Sequence, residues 1–562
     1  METGATLVHA ASEAVLEELV VVLILLAAVV LSGALARATR IALPLVQIMM
    51  GAAIALSPIE TVVLDPELFF VLFLPPLLFL DGWRIPKGDL FRDRAVIVEL
   101  ALGLVVLTVA GLGMLIHWMI PAMPLPVAFA LAAIVSPTDP IAVSAVAARA
   151  PIPRRMMHIL EGESLLNDAS GLVCMRFAVA AMLTGAFSLV DAVQTFAWLA
   201  VGGVAIGVAT AFVITRLKTW ASARLGEDSG SQIIVSLLIP FAAYLSAEHF
   251  HCSGILAAVA AGITMSFAET GAAMAVTRVR RTAVWDTVQF AANGAIFVLL
   301  GEQMPNIVAG AAQTVRLTGH AEPWWLAVYV LAIVAALAAL RFAWVWTSLR
   351  LTWFRAGLRG EPRRNGSRRL LLAMSLAGVR GAITLAGILT LPLTLNDGTP
   401  FPARDLAIFL AAGVIVVTLL IATFALPPIL RGLELPPHPS VQAREDAIRV
   451  AAAEAAIQAI EAEQHRLAEG RPDADLYAEA AGRVMELYRL RIDRRGLDPE
   501  SRVQRRRIEE VERRLRVAGL GGERARLFEA GRSGELPEDS VRRLVREIDL
   551  LEARYSAGSA HQ

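Results

Sequence analysis

Long apolar stretches recur along the first 430 residues of the chain, each close to the length of a membrane-spanning helix. A helix needs about 20 mostly apolar residues to cross the hydrocarbon core of a bilayer. We therefore predict an all-α membrane protein with about 13 transmembrane helices. The predicted spans lie near residues 16–36, 41–58, 66–82, 95–119, 126–148, 158–183, 190–215, 230–248, 252–268, 284–306, 324–348, 369–391 and 405–430.

The pattern changes after Pro436 and Pro437, where the apolar stretches stop and arginine and glutamate become frequent. Residues 441–562 carry alanine and leucine at helical spacing, and several glycines and prolines divide them into short segments. We predict a transmembrane domain over residues 1–435 and a cytoplasmic helical tail domain over residues 436–562. A loose, solvated helical tail is the alternative interpretation.

Composition supports the membrane assignment and excludes several other classes. The chain has 562 residues, is 56% hydrophobic and has a formal net charge of +0, so nothing indicates a nucleic-acid partner. Its two cysteines, Cys174 and Cys252, provide neither a disulfide framework nor metal-site spacing. The sequence contains no nucleophile–base motif and no cofactor loop, so we expect neither an enzyme nor a bound cofactor.

Basic residues concentrate in every second loop between the predicted spans. The loops after spans 1, 3, 5, 7, 9 and 11 are rich in arginine, whereas the even-numbered loops hold only Arg316 and Arg404. Lysine and arginine favour the cytoplasmic side of a membrane. We therefore predict a multi-pass protein of the cell inner (plasma) membrane, with the N-terminus outside and the C-terminus in the cytoplasm.

The sixth span begins with the polar segment LEGESLLNDASG at 160–171. On a helix, residues four apart share a face, which pairs Ser164 with Asp168 and Glu163 with Asn167. An ionisable side chain within a membrane span is costly, and it indicates a functional site. This segment is the first candidate for such a site.

Two further spans are interrupted near their middles, the fifth by SPTDP at 136–140 and the twelfth by GVRG at 378–381. The prolines remove backbone donors and the glycines weaken the helix. Irregular backbone at membrane depth is tolerated where it is buried in protein or lines a cavity. Because the two spans are seven apart, they run in opposite directions. Such an arrangement indicates a transporter of two inverted halves, here spans 1–6 and 8–13, with a site at the midplane.

Sodium is a hard cation, so by analogy with other hard cations it prefers oxygen ligands. Asp168, Ser164 and Thr138 can supply these ligands, together with unwound carbonyls near Asp139. Burial disfavours the charged form of a carboxylate, so a proton and a cation compete for Asp168. That competition is antiport, and one titrating carboxylate implies about one proton per monovalent cation. For Asp139, a role as the cap of a broken helix is the alternative to direct coordination.

The same segments carry a family resemblance. GESLLND at 162–168, SPTDP at 136–140, FLPPLLFLDGW at 73–83, SGILA at 253–257 and GVRGAITLA at 378–386 resemble the sodium/proton exchangers, which include bacterial NhaP-type proteins and animal sodium/hydrogen exchangers. The resemblance covers roughly residues 15–430 and leaves the tail outside. It implies an NhaA-like fold of two inverted six-helix repeats with crossed, broken helices, in which a core domain moves against a scaffold that forms a homodimer.

The resemblance also implies a role for each matching residue. Asp168 binds the ion and exchanges it for protons, and Arg380 pairs with Glu163 to balance its charge. Asn167 marks the electroneutral branch, because electrogenic relatives have a second aspartate there. Asp81 is either an acid of the cytoplasmic funnel or an interfacial residue. The residues that bind the ion or support its site are Thr138, Asp139, Glu163, Ser164 and Asn167. No role is assigned to Glu161, Glu302, Arg176 or Arg341.

The function expected from these observations is secondary active exchange of sodium, or of lithium or potassium, for protons, which would serve pH homeostasis. The alternative is a cation channel or an ion- or pH-sensing protein on the same scaffold, with the tail as its output. A sodium-coupled organic-anion symporter could share the fold but would not need Asn167 and Asp168 beside Thr138 and Asp139. The expected partners are monovalent cations, protons, the lipid bilayer and a second copy of the chain, with the ligand of the tail unidentified.

Overall fold

The computed structural model describes residues 2–39, 41–57, 66–84, 103–139, 154–184, 189–226, 228–268, 275–317, 322, 324–358, 368–430, 439–469, 474–492, 499–533 and 535–556. Within these residues the regular structure is α-helical, and the only β-type pairing is an isolated bridge between Thr394 and Pro400. The predicted all-α architecture is therefore confirmed for the described part of the chain. The chain forms two compact units, Met1–Glu434 and Leu435–Gln562.

Helices of the first unit overlap every stretch predicted as a span, and six of them contain segments that are long and apolar enough to cross a membrane. The number of crossings stays a prediction. The helices are α1 (Glu2–Thr39), α2 (Leu43–Ala55), α3 (Pro66–Arg84), α4 (Leu104–Met119), α5 (Leu125–Val135), α6 (Arg154–Thr184), α7 (Leu189–Leu225), α8 (Ser229–His249), α9 (Gly254–Ala268), α10 (Ala275–Leu317), α11 (Trp325–Leu358), α12 (Arg368–Leu376), α13 (Ala382–Leu389) and α14 (Arg404–Leu430).

Both expected interruptions coincide with helix ends. Helix α5 stops at Val135, two residues before Pro137, which lacks an N–H group and cannot continue the helical hydrogen bonding. Residues 140–153, which hold the rest of the predicted fifth span, lie outside the described residues. In the twelfth span, residues 377–381 separate α12 from α13. The two breaks touch, since the Asp139 N–H donates to the Val379 carbonyl at 2.7 Å.

The helices of the first unit pack as two groups. The scaffold group contains α1, α2, α3 and α7 to α10, with α2 packed on α10 and α3 packed on α9. The crossing group contains α4, α5, α6 and α11 to α14, and includes both interruptions. The packing of α2 on α10 requires glycine, because a Cβ on Gly51 would lie 1.9 Å from the Val298 carbonyl oxygen. The two groups meet chiefly where α10 packs on α14, and further contacts join α3 and α10 to α13.

In the described residues of the second unit, four helices form two pairs. Helix α15 packs on α16, and α17 packs on α18. Ion pairs within α17, such as Arg514 with Glu510 at 2.9 Å, link charges one turn apart on its surface. The bounds are α15 (Pro439–Ala468), α16 (Ala474–Ile492), α17 (Pro499–Arg532) and α18 (Glu538–Ser556).

Candidate functional site

A small cavity lies between the scaffold group and the crossing group, and most of the predicted site residues line it. Its volume is about 20 Å³. A single water molecule needs roughly 10–15 Å³ by the same measure, so the cavity has room for one water or one largely dehydrated cation. Its walls are Leu77 and Asp81 of α3, Pro137, Thr138 and Asp139 of the first break, Ser164 and Asp168 of α6, Asn293 of α10, and Gly381, Ala382, Ile383 and Thr384 at the start of α13.

Asp168 lies on the α6 wall of this cavity. Ser164, one turn earlier, donates a hydrogen bond from its hydroxyl to Asp168 Oδ2 at 3.3 Å. Both side chains and Thr138 are buried, with exposed fractions of 3–4%. The structure therefore brings together the three residues predicted to bind sodium. Within the part of the chain that the structure describes, no arginine, lysine or histidine forms an ion pair with Asp168.

Two more carboxylates line the cavity, so the site is strongly acidic. Asp81 enters from α3 and Asp139 from the break after α5. Three carboxylates around about 20 Å³ create a negative potential that attracts a cation or a proton. Of the two interpretations of Asp81, its position on the cavity wall favours the acid that attracts cations over the interfacial residue.

Asp139 also lies against the N-terminus of α13. Gly381 is the residue before that helix, and a Cβ placed on it would lie 1.8 Å from Asp139 Oδ2. The N-terminus of a helix carries partial positive charge, which favours a nearby carboxylate. Asp139 therefore has the position of a helix-end acid and of a cavity-lining residue at once, and the close approach depends on glycine at 381.

The structure corrects the predicted pairing of Glu163 with Arg380. The guanidinium of Arg341 on α11 donates to both oxygens of Glu163, at 2.6 and 3.0 Å, and Asn167 Nδ2 donates to the same carboxylate at 3.2 Å. Side-chain exposure is 1% for Glu163 and 2% for Arg341. A bidentate hydrogen bond of this kind needs the planar guanidinium to lie edge-on to the carboxylate, with two N–H groups facing its two oxygens. Arg341 meets that requirement, whereas Arg380 is held elsewhere.

Arg380 is bound by the carbonyl oxygens that the helix breaks leave free. Its Nε donates to the carbonyl of Val135, the last residue of α5, at 2.8 Å, and its Nη1 donates to the carbonyl of Gly378. Its backbone N–H donates to the hydroxyl of Thr418 at 3.3 Å. Carbonyls at a helix C-terminus carry partial negative charge. Arg380 thus donates its side-chain hydrogen bonds at the ends of α5 and α12, and it acts on Glu163 only through the electrostatic attraction of a nearby charge.

Sequence reasoning missed the roles of Arg341, Asn293 and Thr384. Arg341 could have been noticed, because it is an arginine inside the eleventh span. Whether Arg341 or Arg380 pairs with Glu163, however, depends on helix packing. Asn293 is a polar residue within the tenth span, and Thr384 belongs to the motif GVRGAITLA. Arg176 on α6 forms an ion pair with Glu248 on α8 at 3.0 Å and does not line the cavity.

A helical membrane protein in which two helices break beside an acid-lined cavity has the architecture of an ion-coupled transporter. Comparison with known proteins makes the assignment specific. The family model described as "Sodium/hydrogen exchanger, transmembrane" matches residues 22–432. The chain belongs to the sodium/hydrogen exchanger family, whose members are multi-pass membrane transporters.

Individual relatives agree with this assignment. The chain is 43% identical over 544 residues to YjcE of Escherichia coli (strain K12), described as an uncharacterized Na⁺/H⁺ exchanger, with 95% of this chain and 98% of that protein covered. It is 38% identical over 549 residues to the sodium, potassium, lithium and rubidium/H⁺ antiporter of Bacillus subtilis (strain 168), with 95% and 78% covered. Among solved structures, the sodium proton antiporter MjNhaP1 of Methanocaldococcus jannaschii matches with a TM-score of 0.55 at 17% identity, over 74% of this chain and 99% of that one. The chain therefore has the fold of that antiporter.

Proposed function

We propose that the protein is a secondary active antiporter that exchanges one sodium ion for one proton, with lithium and potassium as alternative cations. The observation that carries the proposal is Asp168, a buried carboxylate on the wall of a cavity large enough for one small cation. Ser164 and Thr138 add neutral oxygen ligands to the same wall. The B. subtilis relative, whose name includes four alkali cations, supports an alkali-metal substrate.

Antiport follows from the competition at Asp168. A buried carboxylate without an ion-pair partner among the described residues is costly when it is neither protonated nor bound to a cation, because desolvation penalises its charge. A bound proton or a bound cation removes that cost, and each excludes the other. Opening the cavity to one side at a time then couples proton movement to cation movement in the opposite direction.

The one-for-one ratio rests on the two polar neighbours of Asp168 on α6. Asn167 carries no titrating proton, and its amide donates to Glu163. Glu163 is balanced by Arg341 at 2.6 Å, so it has its own cation and stays outside the exchange. With Asp139 held at the N-terminus of α13 and Asp81 keeping one protonation state through the cycle, Asp168 is the group that alternates between proton and cation, and each cycle moves no net charge.

The finer architecture belongs to the same proposal. We infer 13 crossings arranged as inverted repeats of spans 1–6 and 8–13, an outside N-terminus and a cytoplasmic C-terminus. We also infer a transmembrane domain over 1–435, a cytoplasmic tail domain over 436–562 and a homodimer in the cell inner membrane. Alternating loop charge and the breaks at 136–139 and 377–381 support this arrangement.

The proposal is tested in proteoliposomes that hold the purified full-length protein. With an imposed pH gradient, the wild-type protein should accumulate sodium against its own gradient, and Asp168→Asn should abolish this while remaining folded. Asp286→Asn is the matched control, because it makes the same chemical change at an exposed carboxylate that pairs with Arg84 and does not line the cavity. Robust sodium-driven proton movement by the Asp168 variant would exclude this aspartate, and downhill sodium flux without uphill accumulation would indicate a channel.

Stoichiometry is tested separately with the membrane potential set by a gradient of the permeant anion thiocyanate, because potassium is itself a proposed substrate. One-for-one exchange predicts a rate that is independent of the imposed potential, with reversal where the sodium and proton gradients are equal. A strong dependence on potential would show that each cycle moves unequal numbers of protons and cations, and the one-for-one ratio would be wrong.

A further inference from the structure

Asn293 interrupts an apolar face of α10. Residues three, four and seven positions later share its face of the helix. These are Ile296, Phe297 and Leu300, which have exposed fractions of 0%, 3% and 2% and belong to the main hydrophobic core of the first unit. Asn293 is the polar residue on this face, at the point where α10 reaches the cavity. Its amide therefore needs a hydrogen-bonding or coordinating partner.

The rotation of α10 is set by its neighbouring glycine. A Cβ on Gly294 would lie 2.5 Å from Val29 of α1 and 3.0 Å from Gln47 of α2, so that face of α10 packs inside the scaffold group. Asn293 lies about 100° away around the helix and lines the cavity together with Asp168 and Ser164 of the crossing group. Its position therefore follows from the packing of α10 and does not depend on a flexible loop.

The Asn293 amide forms no hydrogen bond with any residue within the described ranges. Asn293 is half-buried next to a buried apolar face, and burying amide atoms costs free energy unless they form hydrogen bonds or bind a ligand. Buried polar groups in proteins are almost always paired, with protein, water or a ligand. For Asn293 the available partner is whatever occupies the cavity.

We propose that Asn293 is a cation-coordinating residue of the scaffold group, and that its amide oxygen sets the preference among sodium, lithium and potassium. The inference rests on the proposed exchange at Asp168 and assigns it a further ligand. An amide oxygen is a neutral oxygen ligand of the kind that hard cations accept. Because it neither binds nor releases a proton, it adjusts cation affinity without changing the number of protons exchanged.

Asn293 and the other proposed ligands belong to different helix groups. Asp168, Ser164 and Thr138 belong to the crossing group, whereas Asn293 belongs to the scaffold group. Alternating access requires one group to move against the other around the site. The distance between Asn293 and Asp168 then changes during the cycle, so Asn293 contributes more to cation affinity on one side of the membrane than on the other.

The test compares three variants in oriented proteoliposomes of the full-length protein. Asn293→Leu keeps the approximate size of the side chain and removes its oxygen, and Asn293→Gln keeps a neutral amide oxygen. Asn306→Leu is the matched control, because Asn306 is an exposed asparagine on the same helix and does not line the cavity. The apparent KM for sodium, lithium and potassium is measured from each side, with the melting temperature of each variant in cation-free buffer.

Asn293→Leu should raise the KM for sodium about three- to tenfold, the loss expected for one polar contact. The factor should differ between the three cations and between the two sides, and the KM of Asn293→Gln for sodium should stay within about twofold of wild type. A KM unchanged within about twofold for all three cations would overturn the assignment. So would an equal change in Asn306→Leu, or a change confined to the maximal rate. Asn293→Ala replaces the leucine variant if that variant does not fold.

Failure of the proposed function gives a different result. If the wild-type protein moves none of the three cations, the antiporter proposal fails, and the binding role is read from melting temperature alone. A cation that binds the folded state raises its melting temperature. A sodium-dependent rise in the wild type that is lost in Asn293→Leu supports coordination by Asn293, whereas an equal rise in both, or none in either, refutes it.

Discussion

Replacing Arg341 by glutamine should leave Glu163 as a buried carboxylate without its cation. In the wild-type protein the two side chains share hydrogen bonds of 2.6 and 3.0 Å, and Arg341 Nε also donates to the Met374 carbonyl at 3.0 Å. The remaining donor to Glu163 is the Asn167 amide at 3.2 Å. A neutral amide does not balance a buried negative charge, so we expect the variant to be strongly destabilised.

The size of the loss follows from the burial of the pair. The side chains are 1% and 2% exposed, so water cannot take the place of the missing guanidinium. Removing one partner of a buried ion pair costs about 3–5 kcal/mol. At about 2.1 cal/mol/K per residue, the unit Met1–Glu434 has an unfolding entropy of about 0.9 kcal/mol/K. The melting temperature of Arg341→Gln should therefore fall by at least about 3 °C.

The assay is a pair of double-mutant cycles measured by thermal unfolding in detergent. Glu163→Gln combined with Arg341→Gln should recover part of the single losses, with a coupling energy of about 1–3 kcal/mol. Glu163→Gln combined with Arg380→Gln is the matched control, because Arg380 bonds to backbone carbonyls rather than to Glu163. Its coupling energy should be smaller.

Two results would refute this reasoning. Strict additivity of Glu163→Gln and Arg341→Gln would show that the two side chains do not form a stabilising pair. A coupling of Glu163 with Arg380 that exceeds its coupling with Arg341 would restore the pairing expected from the sequence.

Three more predictions follow from the structure. Gly381→Ala should abolish exchange while the protein still inserts, because its Cβ would lie 1.8 Å from Asp139 Oδ2; sodium uptake at wild-type rates would contradict this. A chain truncated after Glu434 should still exchange sodium for protons, with a changed pH dependence or rate, and uptake at pH 5–9, around the titration of a carboxylate, checks it. Hydrogen bonds from the hydroxyl and N–H of Ser231 hold the pKa of Asp228 below its usual value of 3.8. This cap of α8 therefore stabilises the protein at neutral pH and loses that effect as pH falls through the lowered pKa of Asp228, so Asp228→Ala should lower the melting temperature at pH 7 and lower it less at pH 3.

Much of the fold could be predicted from the sequence because it depends on local chain chemistry. Apolar stretches of membrane length predict helices wherever they occur, since an unpaired backbone is too costly in lipid. Pro137 and the glycines around Arg380 mark the breaks, because a residue without an N–H group or a side chain weakens a helix in any surroundings. The four-residue spacing of Ser164 and Asp168 likewise places them on one face of α6.

The partners across the site were decided by tertiary structure. Glu163 and Arg341 are 178 positions apart, and two arginines lie close enough to compete for one glutamate. The choice depends on which guanidinium faces the carboxylate and which is already held by helix-end carbonyls. Asn293 gains a place on the cavity wall only through the rotation of α10 against α1 and α2. Spacing along a helix determines which residues share a face, but the packing of one helix on another determines what that face meets.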